Sequence, residues 1–336
     1  MNMGMILKND YLVNTIQSIK INDYYFFLME NMELSNLKSF NESELNKCSE
    51  LLCSYFIYQC LLGLHHMHSK LIVHRDIKLE NILINNNYEI KLADFSMSTQ
   101  LKENVKYPIS RSGTIPYLPP ESFYTWSKSK SSSQNNSNNT KMKNITDFLN
   151  SNNSNSNTHN HKKYLSVESS LKKDIFALGI VMYRLLFKEH PFNYEYKMNR
   201  ETYGQKINNS TLNFKGKDVT SDCISFLEGL LKHNVHKRFT IDDALNHSWI
   251  IKTQKIINSL IKKNAGKSKF NLILILNNYI FKEDKEPFKN NDVILDYSTK
   301  DSEDKDKDKE KTFLKLKRRR YDENDNDYKN ISCIQK

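Results

Sequence analysis

Apolar residues recur at helical spacing in two long stretches of the chain. Between residues 44 and 68 the recurring positions are Leu52, Tyr55, Phe56, Gln59 and Gly63, at i, i+3, i+4, i+7 and i+11. This spacing predicts a helix that packs one face on a core. A second apolar set spans Ile175–Leu186, and Asp174 stands where an N-cap would.

Shorter runs of apolar residues predict strands. Tyr24–Met29 has the length and aromatic content of a strand, and Tyr11–Ile16 is expected to pair with it across a polar turn at 21–23. Ile82–Ile84 and Glu89–Leu92 flank a triplet of asparagines, which favours a hairpin. These small sheets accompany a larger helical part of the chain.

Two changes in composition divide the chain. Ser and Asn dominate from Ser127 to His161, where too few apolar residues occur to offset the entropy of ordering, so we predict a disordered insertion at 127–163. Residues 300–336 begin with alternating acids and bases and include the basic run Lys315–Arg320. We predict that this tail is solvated and disordered.

Composition excludes several classes of protein. In 336 residues, 38% are hydrophobic, which is enough for a core, and the net charge of +11 favours anionic partners. The five cysteines contain no C-x-x-C pair, so neither a disulfide framework nor a cysteine zinc site is expected. No apolar run approaches 18 residues, so we expect no membrane partner and a cytoplasmic or nuclear location.

Four polar residues supply the groups that phosphoryl transfer requires. This reaction needs a carboxylate to orient the attacking hydroxyl, a cation near the γ-phosphate and oxygen ligands for Mg²⁺. Asp76, Lys78 and Asn81 lie in the string H-R-D-I-K-L-E-N, and Asp94 follows in a D-F dipeptide 18 residues after Asp76. These strings and their spacing resemble the catalytic and magnesium-binding loops of eukaryotic protein kinases.

The resemblance implies a two-lobed, kinase-like fold of the α+β class and assigns further residues to it. Gly113–Glu121 is similar to the end of a kinase activation segment, in which Glu121 would form a buried ion pair with Arg238. Asp174 would brace the catalytic loop. Lys78 together with Thr114 is typical of serine/threonine kinases, where both contact the catalytic aspartate or the substrate.

The same resemblance implies the cofactors and the extent of each part. ATP and Mg²⁺ are the expected cofactors, and Asn81 and Asp94 would hold the metal. The adenine pocket and hinge would be lined by Met29, Glu30 and Met32. The expected parts are a remnant of the N-lobe with the hinge at 1–32, a mainly helical C-lobe at 33–250, a C-terminal extension at 251–299 and the tail.

Among kinase groups, the chain is most similar to Aurora kinases, on the strings Y-L-P-P-E, L-L-K-H-N and A-L-N-H-S-W-I. The implied activity is transfer of the ATP γ-phosphoryl group to Ser or Thr of protein substrates. Asp76 would orient the hydroxyl and accept its proton, and Lys78 would steady the γ-phosphate. Implied partners are protein substrates and an activating kinase or regulatory protein.

Arg75, directly before Asp76, implies regulation through a phosphate on the activation segment. Ser110 occupies the expected acceptor position, with Ser112 and Thr99 as weaker candidates. The alternative is a segment that becomes ordered without phosphate.

Besides the insertion at 127–163, the chain departs from the family pattern in two places. No G-x-G-x-x-G string precedes Met29, so we expect a truncated N-lobe, which an incomplete chain, a truncated pseudokinase or a fragment completed by another polypeptide would explain. Ser96 stands where the D-F-G motif has Gly, so altered switching of this motif is expected.

Two other functions compete with catalysis. A pseudokinase would act as a scaffold or regulatory binding protein. Nucleic-acid binding through Lys315–Arg320 is the weakest alternative, and we do not expect a nucleic-acid partner.

Overall fold

The computed structural model describes residues 6–43, 48–123, 164–264 and 269–279, with only the backbone for 269–272. The predicted insertion at 127–163 and the tail at 300–336, with its basic run Lys315–Arg320, lie outside the described residues. Residues 280–299 of the predicted C-terminal extension also lie outside them.

The described residues form helices and short strands in a mixed order, in agreement with the predicted α+β class. The helices are α1 (Leu37–Glu42), α2 (Glu50–Ser69), α3 (Val167–Phe187), α4 (Arg200–Asn209), α5 (Ser221–Leu230), α6 (Ile241–Leu245), α7 (Ser248–Lys263) and α8 (Lys269–Asn277). The strands are β1 (Thr15–Ile21), β2 (Tyr24–Met29), β3 (Ile72–Val73), β4 (Ile82–Ile84), β5 (Ile90–Leu92), β6 (Thr99–Gln100), β7 (Tyr107–Pro108) and β8 (Tyr164–Leu165).

β1 and β2 form an antiparallel ribbon, which confirms the strand at Tyr24–Met29. The prediction of its partner at Tyr11–Ile16 was wrong, because β1 begins at Thr15 and continues to Ile21. The turn needs only two residues, since Asn22 adopts a left-handed φ of 52°, which Asn tolerates better than a β-branched residue.

The predicted hairpin at β4 and β5 is confirmed as an antiparallel pair in which Ile82 faces Leu92. The chain before β1 is joined to this hairpin, because Val13 donates its N–H to the Leu92 carbonyl at 2.9 Å. The hairpin thereby connects the N-terminal ribbon to the helical core.

α2 is the central helix of that core. It begins after Ser49, whose hydroxyl accepts the Leu52 N–H at 3.2 Å, and it packs against α3, α6, α7 and β5. Most of its residues are buried, on every side of the helix. An apolar helix of this kind is stable only inside a core, so α2 provides a rigid base for the loop that follows it.

α3 begins earlier than the sequence indicated. Its N-cap is Ser166, whose hydroxyl accepts the Ser169 N–H at 3.1 Å, so the prediction of an N-cap at Asp174 was wrong. Asp174 lies inside the helix and is only 1% exposed. This position directs a buried carboxylate from the helix towards the loop after α2.

α8 packs against α2 and α7. Ser49, the N-cap of α2, donates its hydroxyl to the Leu276 carbonyl at 2.8 Å and its N–H to Asn277 Oδ1 at 2.8 Å. This part of the predicted C-terminal extension is therefore joined to the core. Among the described helices, none combines the length and apolar character needed to cross a bilayer.

Candidate active site

The loop His74–Asn81 is held by the buried carboxylate of Asp174. Oδ2 of Asp174 accepts the His74 N–H at 2.8 Å, and Oδ1 accepts the Arg75 N–H at 2.9 Å. Arg75 has a left-handed φ of 72°, an uncommon conformation for a residue with a side chain. The two hydrogen bonds to one carboxylate stabilise this conformation and present Asp76 on the far side of the loop.

Asp174 also receives a hydrogen bond from α2, because Nε2 of His68 lies 3.0 Å from its Oδ2. Burial alone would raise the pKa of Asp174, but hydrogen bonds from His68 and the His74 backbone outweigh burial and hold that pKa below its ordinary value. The carboxylate is therefore ionised at neutral pH and fully satisfied, as a buried charge must be.

His74 connects the loop His74–Asn81 to the strand that leads to Asp94. Its Nε2 donates to the Ala93 carbonyl at 3.1 Å, and its Nδ1 accepts the Asp76 N–H at 3.3 Å. Burial lowers the pKa of His74, so the ring is neutral at pH 7. The neutral ring has one donor and one acceptor, and this pair of bonds uses both.

Asp76 lies at the centre of the site. Its Oδ2 accepts from Nζ of Lys78 at 2.7 Å and from Nδ2 of Asn81 at 3.1 Å. Its Oδ1 accepts from the hydroxyl of Thr114 at 2.7 Å and from the Thr114 N–H at 3.2 Å. Partial burial would raise the pKa of Asp76, but the bonds from Lys78 and Thr114 dominate and lower it.

Asn81 and Asp94 are the residues expected to hold Mg²⁺. Nδ2 of Asn81 donates to the Asp76 carbonyl at 2.9 Å, so the amide oxygen is the atom left for a cation. The Ala93 N–H donates to the Asn81 carbonyl at 2.9 Å, which ties the Asp94 loop to the Asn81 turn. Two hard oxygen ligands and remaining water positions suit Mg²⁺, so these residues fit the metal.

Asp94 is exposed and begins a short 3₁₀ turn at 95–97. Its φ is 62°, and its Oδ1 accepts the Ser96 N–H at 3.3 Å. The left-handed residue of this motif is therefore Asp94, whereas Ser96 is not among the residues with positive φ. The described conformation does not require glycine at position 96, and the expected effect on switching stays a prediction.

The residues expected at the adenine pocket lie at the end of β2 and in the turn after it. The Met29 side chain is 52% exposed, and Met32 is partly buried. The carboxylate of Glu30 accepts from Lys91 Nζ on β5 at 2.8 and 2.9 Å and from the Asn14 N–H at 2.7 Å. Glu30 thus joins β2 to the hairpin, and its role in binding adenine stays a prediction.

Glu121 and Arg238 form a buried, bidentate ion pair. The two Nη–Oε distances are 2.8 and 2.9 Å, and the side chains of Arg238 and Glu121 are 0% and 7% exposed. Arg238 also donates to the carbonyls of Lys172, Lys232 and His233. The end of the segment that contains Thr114 is therefore joined to α3 and to the loop before α6.

Ser110 and Arg75 line one small cavity, together with Lys173 of α3. Within the described residues, the Arg75 guanidinium forms no hydrogen bond or ion pair. Burial lowers the pKa of Arg75, but a guanidinium remains charged at neutral pH. The cavity that Ser110 lines thus contains a cation that has no direct partner in the part of the chain that the structure describes.

Sequence reasoning missed three residues that support the site: His68, Lys173 and Arg200. A basic residue directly before a buried acid, at the start of an apolar run, was a signal for Lys173. His68 was visible only as one of several histidines at the end of α2. No local pattern indicated Arg200, because it acts on a segment distant in sequence.

Comparison with known proteins identifies the family. The family model described as protein kinase domain matches residues 2–141 and 160–250, which is more than half of the chain. The chain therefore belongs to the protein kinase family. Members of this family generally use ATP and Mg²⁺.

The similar proteins are serine/threonine kinases. An Aurora kinase of Schizosaccharomyces pombe is 28% identical over 206 residues, which cover 61% of this chain and 44% of the relative. Aurora kinase A-A of Xenopus laevis is 28% identical over 223 residues, with coverages of 66% and 42%. The serine/threonine-protein kinase pakH of Dictyostelium discoideum is 28% identical over 245 residues, with coverages of 72% and 39%.

These similarities confirm the resemblance to serine/threonine kinases of the Aurora type. The chain spans less than half the length of each of these relatives.

Proposed function

We propose that this chain transfers the γ-phosphoryl group of ATP to Ser or Thr hydroxyls of protein substrates. The supporting observation is the carboxylate of Asp76, which lies between Lys78 and Thr114 with a lowered pKa. An ionised carboxylate in this position is suited to orient a hydroxyl for in-line attack. The ribbon β1–β2 would be the hinge side of the small lobe, and the helices would form the larger lobe.

In this mechanism, the substrate hydroxyl donates a hydrogen bond to Asp76. Four donors already reach the carboxylate, so the hydroxyl replaces one of the two longer bonds, at 3.1 or 3.2 Å. The hydroxyl oxygen forms a bond to the γ-phosphorus while the bond from that phosphorus to the bridging oxygen breaks. ADP leaves, and the hydroxyl proton passes to Asp76.

Lys78 would stabilise the charge on the phosphoryl group in flight. Its Nζ donates to Asp76 at 2.7 Å and to the Thr114 hydroxyl at 3.1 Å. An ammonium has three N–H donors, so one remains for a phosphate oxygen. Mg²⁺, when bound, neutralises charge on the phosphates, and Asn81 and Asp94 would be its ligands.

Nucleotide binding tests the pocket separately from turnover. The melting temperature of the chain should rise with ATP plus Mg²⁺ and should rise much less with ATP plus EDTA, because ligand binding to the folded state stabilises it. Asp94→Asn should lose most of the Mg²⁺-dependent part of the shift. Equal shifts with and without Mg²⁺ in the wild-type chain would contradict the assignment of Asn81 and Asp94.

We propose Ser110 as a regulatory phosphoacceptor and Arg75 as the partner of its phosphate. Both residues line the same cavity, and a phosphate dianion would give the Arg75 guanidinium a partner. An activating kinase or regulatory protein would then be a partner of the chain. Phosphopeptide mapping of the protein from its own cells should find the modification at Ser110, and its absence there would count against this assignment.

A scaffold without catalytic activity is the second candidate function. It is favoured by the ribbon β1–β2, in which every residue of β2 is exposed and Tyr24, Phe26 and Leu28 are more than half exposed. Exposed apolar surface of this kind is typical of surfaces that bind other polypeptides. A scaffold would show neither a Mg²⁺-dependent thermal shift nor phosphotransfer.

A further inference from the structure

Three consecutive backbone carbonyls of the activation segment each accept a hydrogen bond from a basic side chain. Nζ of Lys173 donates to the Ser110 carbonyl at 3.2 Å and to the Ser112 carbonyl at 2.6 Å. Nη2 of Arg200 donates to the Arg111 carbonyl between them at 2.6 Å. We call Lys173 and Arg200 the carbonyl clamp.

These carbonyls lie in a stretch without regular secondary structure. No helix or sheet ladder is available to satisfy them. The two Lys173 bonds are partly buried, where a carbonyl without a partner is unfavourable, whereas the Arg200 bond is exposed. The clamp provides partners from α3 and from the first residue of α4, two elements distant in sequence. The path of residues 110–112 therefore depends on these two side chains.

Lys173 is an unfavourable residue at this position if stability is the only criterion. It is 8% exposed, and burial lowers its pKa to about 8, so it is mostly protonated at pH 7. Within the described residues, Lys173 forms no ion pair at 4 Å or less. The nearby carboxylates of Asp174 and Glu121 are bonded to His68 and Arg238 instead.

The clamped residues lead directly to the catalytic carboxylate. Only Gly113 separates Ser112 from Thr114, and its φ of 112° is one that other residues rarely adopt. A Cβ at Gly113 would lie 2.6 Å from the Arg75 carbonyl oxygen, so the segment passes against the catalytic loop backbone. Thr114 then directs its hydroxyl and N–H to Asp76.

We propose that Lys173 is a positioning residue, which with Arg200 orders residues 110–112 in the unmodified chain and thereby sets Thr114 against Asp76. The proposal rests on the proposed function only for the role of Asp76. A phosphate on Ser110 would add to this order and would not be needed to create it, because the clamp binds backbone carbonyls.

Hydrogen–deuterium exchange of the full chain tests the clamp without relying on activity. In Lys173→Met, peptides that cover residues 109–115 should exchange about tenfold faster or more, because the segment loses its tether. Lys173→Arg should restore most of the protection, because it retains a cationic donor. The matched control is Lys172→Met, which removes the adjacent buried lysine whose ammonium pairs with Glu168 at 2.6 Å, and it should leave these peptides unchanged.

Four results would overturn the proposal. The first is unchanged exchange at 109–115 in Lys173→Met, and the second is an equal increase in Lys172→Met. The third is faster exchange throughout the chain, including α2, since that would make Lys173 a residue of general stability. The fourth result concerns Ser110→Ala, which should leave residues 113–115 protected from exchange. If this variant loses as much protection there as Lys173→Met does, the clamp is contradicted.

The hydrogen–deuterium exchange measurement and the phosphotransfer assay test different claims. If the wild-type chain transfers no phosphate but Lys173→Met frees residues 109–115, the proposed function fails and the clamp stands. If the chain is active and the exchange is unchanged, the clamp fails and the function stands.

Discussion

The hydroxyl of Thr114 donates to Oδ1 of Asp76 at 2.7 Å, and the two residues are 38 positions apart in the sequence. This contact joins the segment that contains Thr114 to the loop His74–Asn81 at the atom proposed to receive the substrate proton. The order of the segment and the state of the catalytic carboxylate are therefore linked. Any change that displaces Thr114 should alter phosphotransfer even when Asp76 is untouched.

Replacing Thr114 tests this link. Thr114→Ala removes the hydroxyl donor, and loss of a hydrogen bond to a charged group costs about 1.5–3 kcal/mol, so kcat/KM should fall by about 10- to 100-fold. Thr114→Ser keeps the hydroxyl and should retain most of the activity. Equal activity of the Ala and Ser variants in a peptide phosphorylation assay would show that the hydroxyl has no role.

The buried pair Glu121–Arg238 should contribute strongly to stability when one partner is removed. Arg238→Ala leaves the Glu121 carboxylate buried and unpaired, so the free energy of unfolding should fall by about 3–5 kcal/mol. Urea unfolding monitored by circular dichroism measures this change. As a control, Lys206→Ala breaks an exposed pair with Glu195 and should cost less than about 1 kcal/mol; similar losses in both variants would contradict the account.

Asp174 should make the protein sensitive to acid. Its folded-state pKa lies below the ordinary value of 3.8, so its contribution to stability is complete above pH 3.8 and is lost as the pH falls through the lower, folded-state value. The difference in unfolding free energy between the wild type and Asp174→Asn should shrink below pH 3.8. A difference in unfolding free energy that grows below pH 3.8 would contradict this prediction.

Lys173 should make the protein more stable as the pH rises above about 8. Between its folded-state pKa of about 8 and its ordinary value of 10.5, the unfolded chain binds a proton that the folded chain does not. Unfolding free energy therefore rises with pH in this window, because the buried charge is removed. The difference in unfolding free energy between the wild type and Lys173→Met, measured by urea unfolding, should increase from pH 7 to pH 10. A flat or falling difference would exclude the buried cation.

Lys173 is also surrounded by other charges that affect this titration. Asp174 and Glu121 favour its protonated form, whereas Arg75 and Arg200 disfavour it. Of these four residues, only Asp174 lies on the same helix as Lys173. Subtracting the Lys173→Met curve removes the titration of distant groups, since they are common to both proteins.

Local spacing allowed much of the site to be predicted from the sequence. Asp76, Lys78 and Asn81 lie within six residues, so their proximity follows from one short loop. Asp174 and Thr114 are far in sequence from the loop that they contact, so local spacing could not predict these contacts. Only the family resemblance indicated them. The carbonyl clamp was not predicted, because every residue has a backbone carbonyl and the sequence does not show which of them accept a side-chain hydrogen bond.

The errors in the fold prediction have local causes. The first strand was placed too early because Tyr11–Ile16 is apolar, although Leu12 and Val13 contact the β4–β5 hairpin instead. The N-cap of α3 was misplaced because Ser166 follows directly after a long stretch rich in Ser and Asn. An acid before an apolar run resembles a cap, but Asp174 is a buried acceptor within the helix.

The most direct test of the central claim is phosphotransfer by the chain with Mg·ATP and a Ser- or Thr-containing protein substrate, measured as the mass of the product. The wild type should add 80 Da per phosphate, and Asp76→Asn should lower the rate by about a hundredfold or more while its melting temperature stays close to that of the wild type. Equal rates in the two proteins would contradict the role of Asp76. No transfer by a wild-type chain that is folded would contradict catalysis and favour the scaffold.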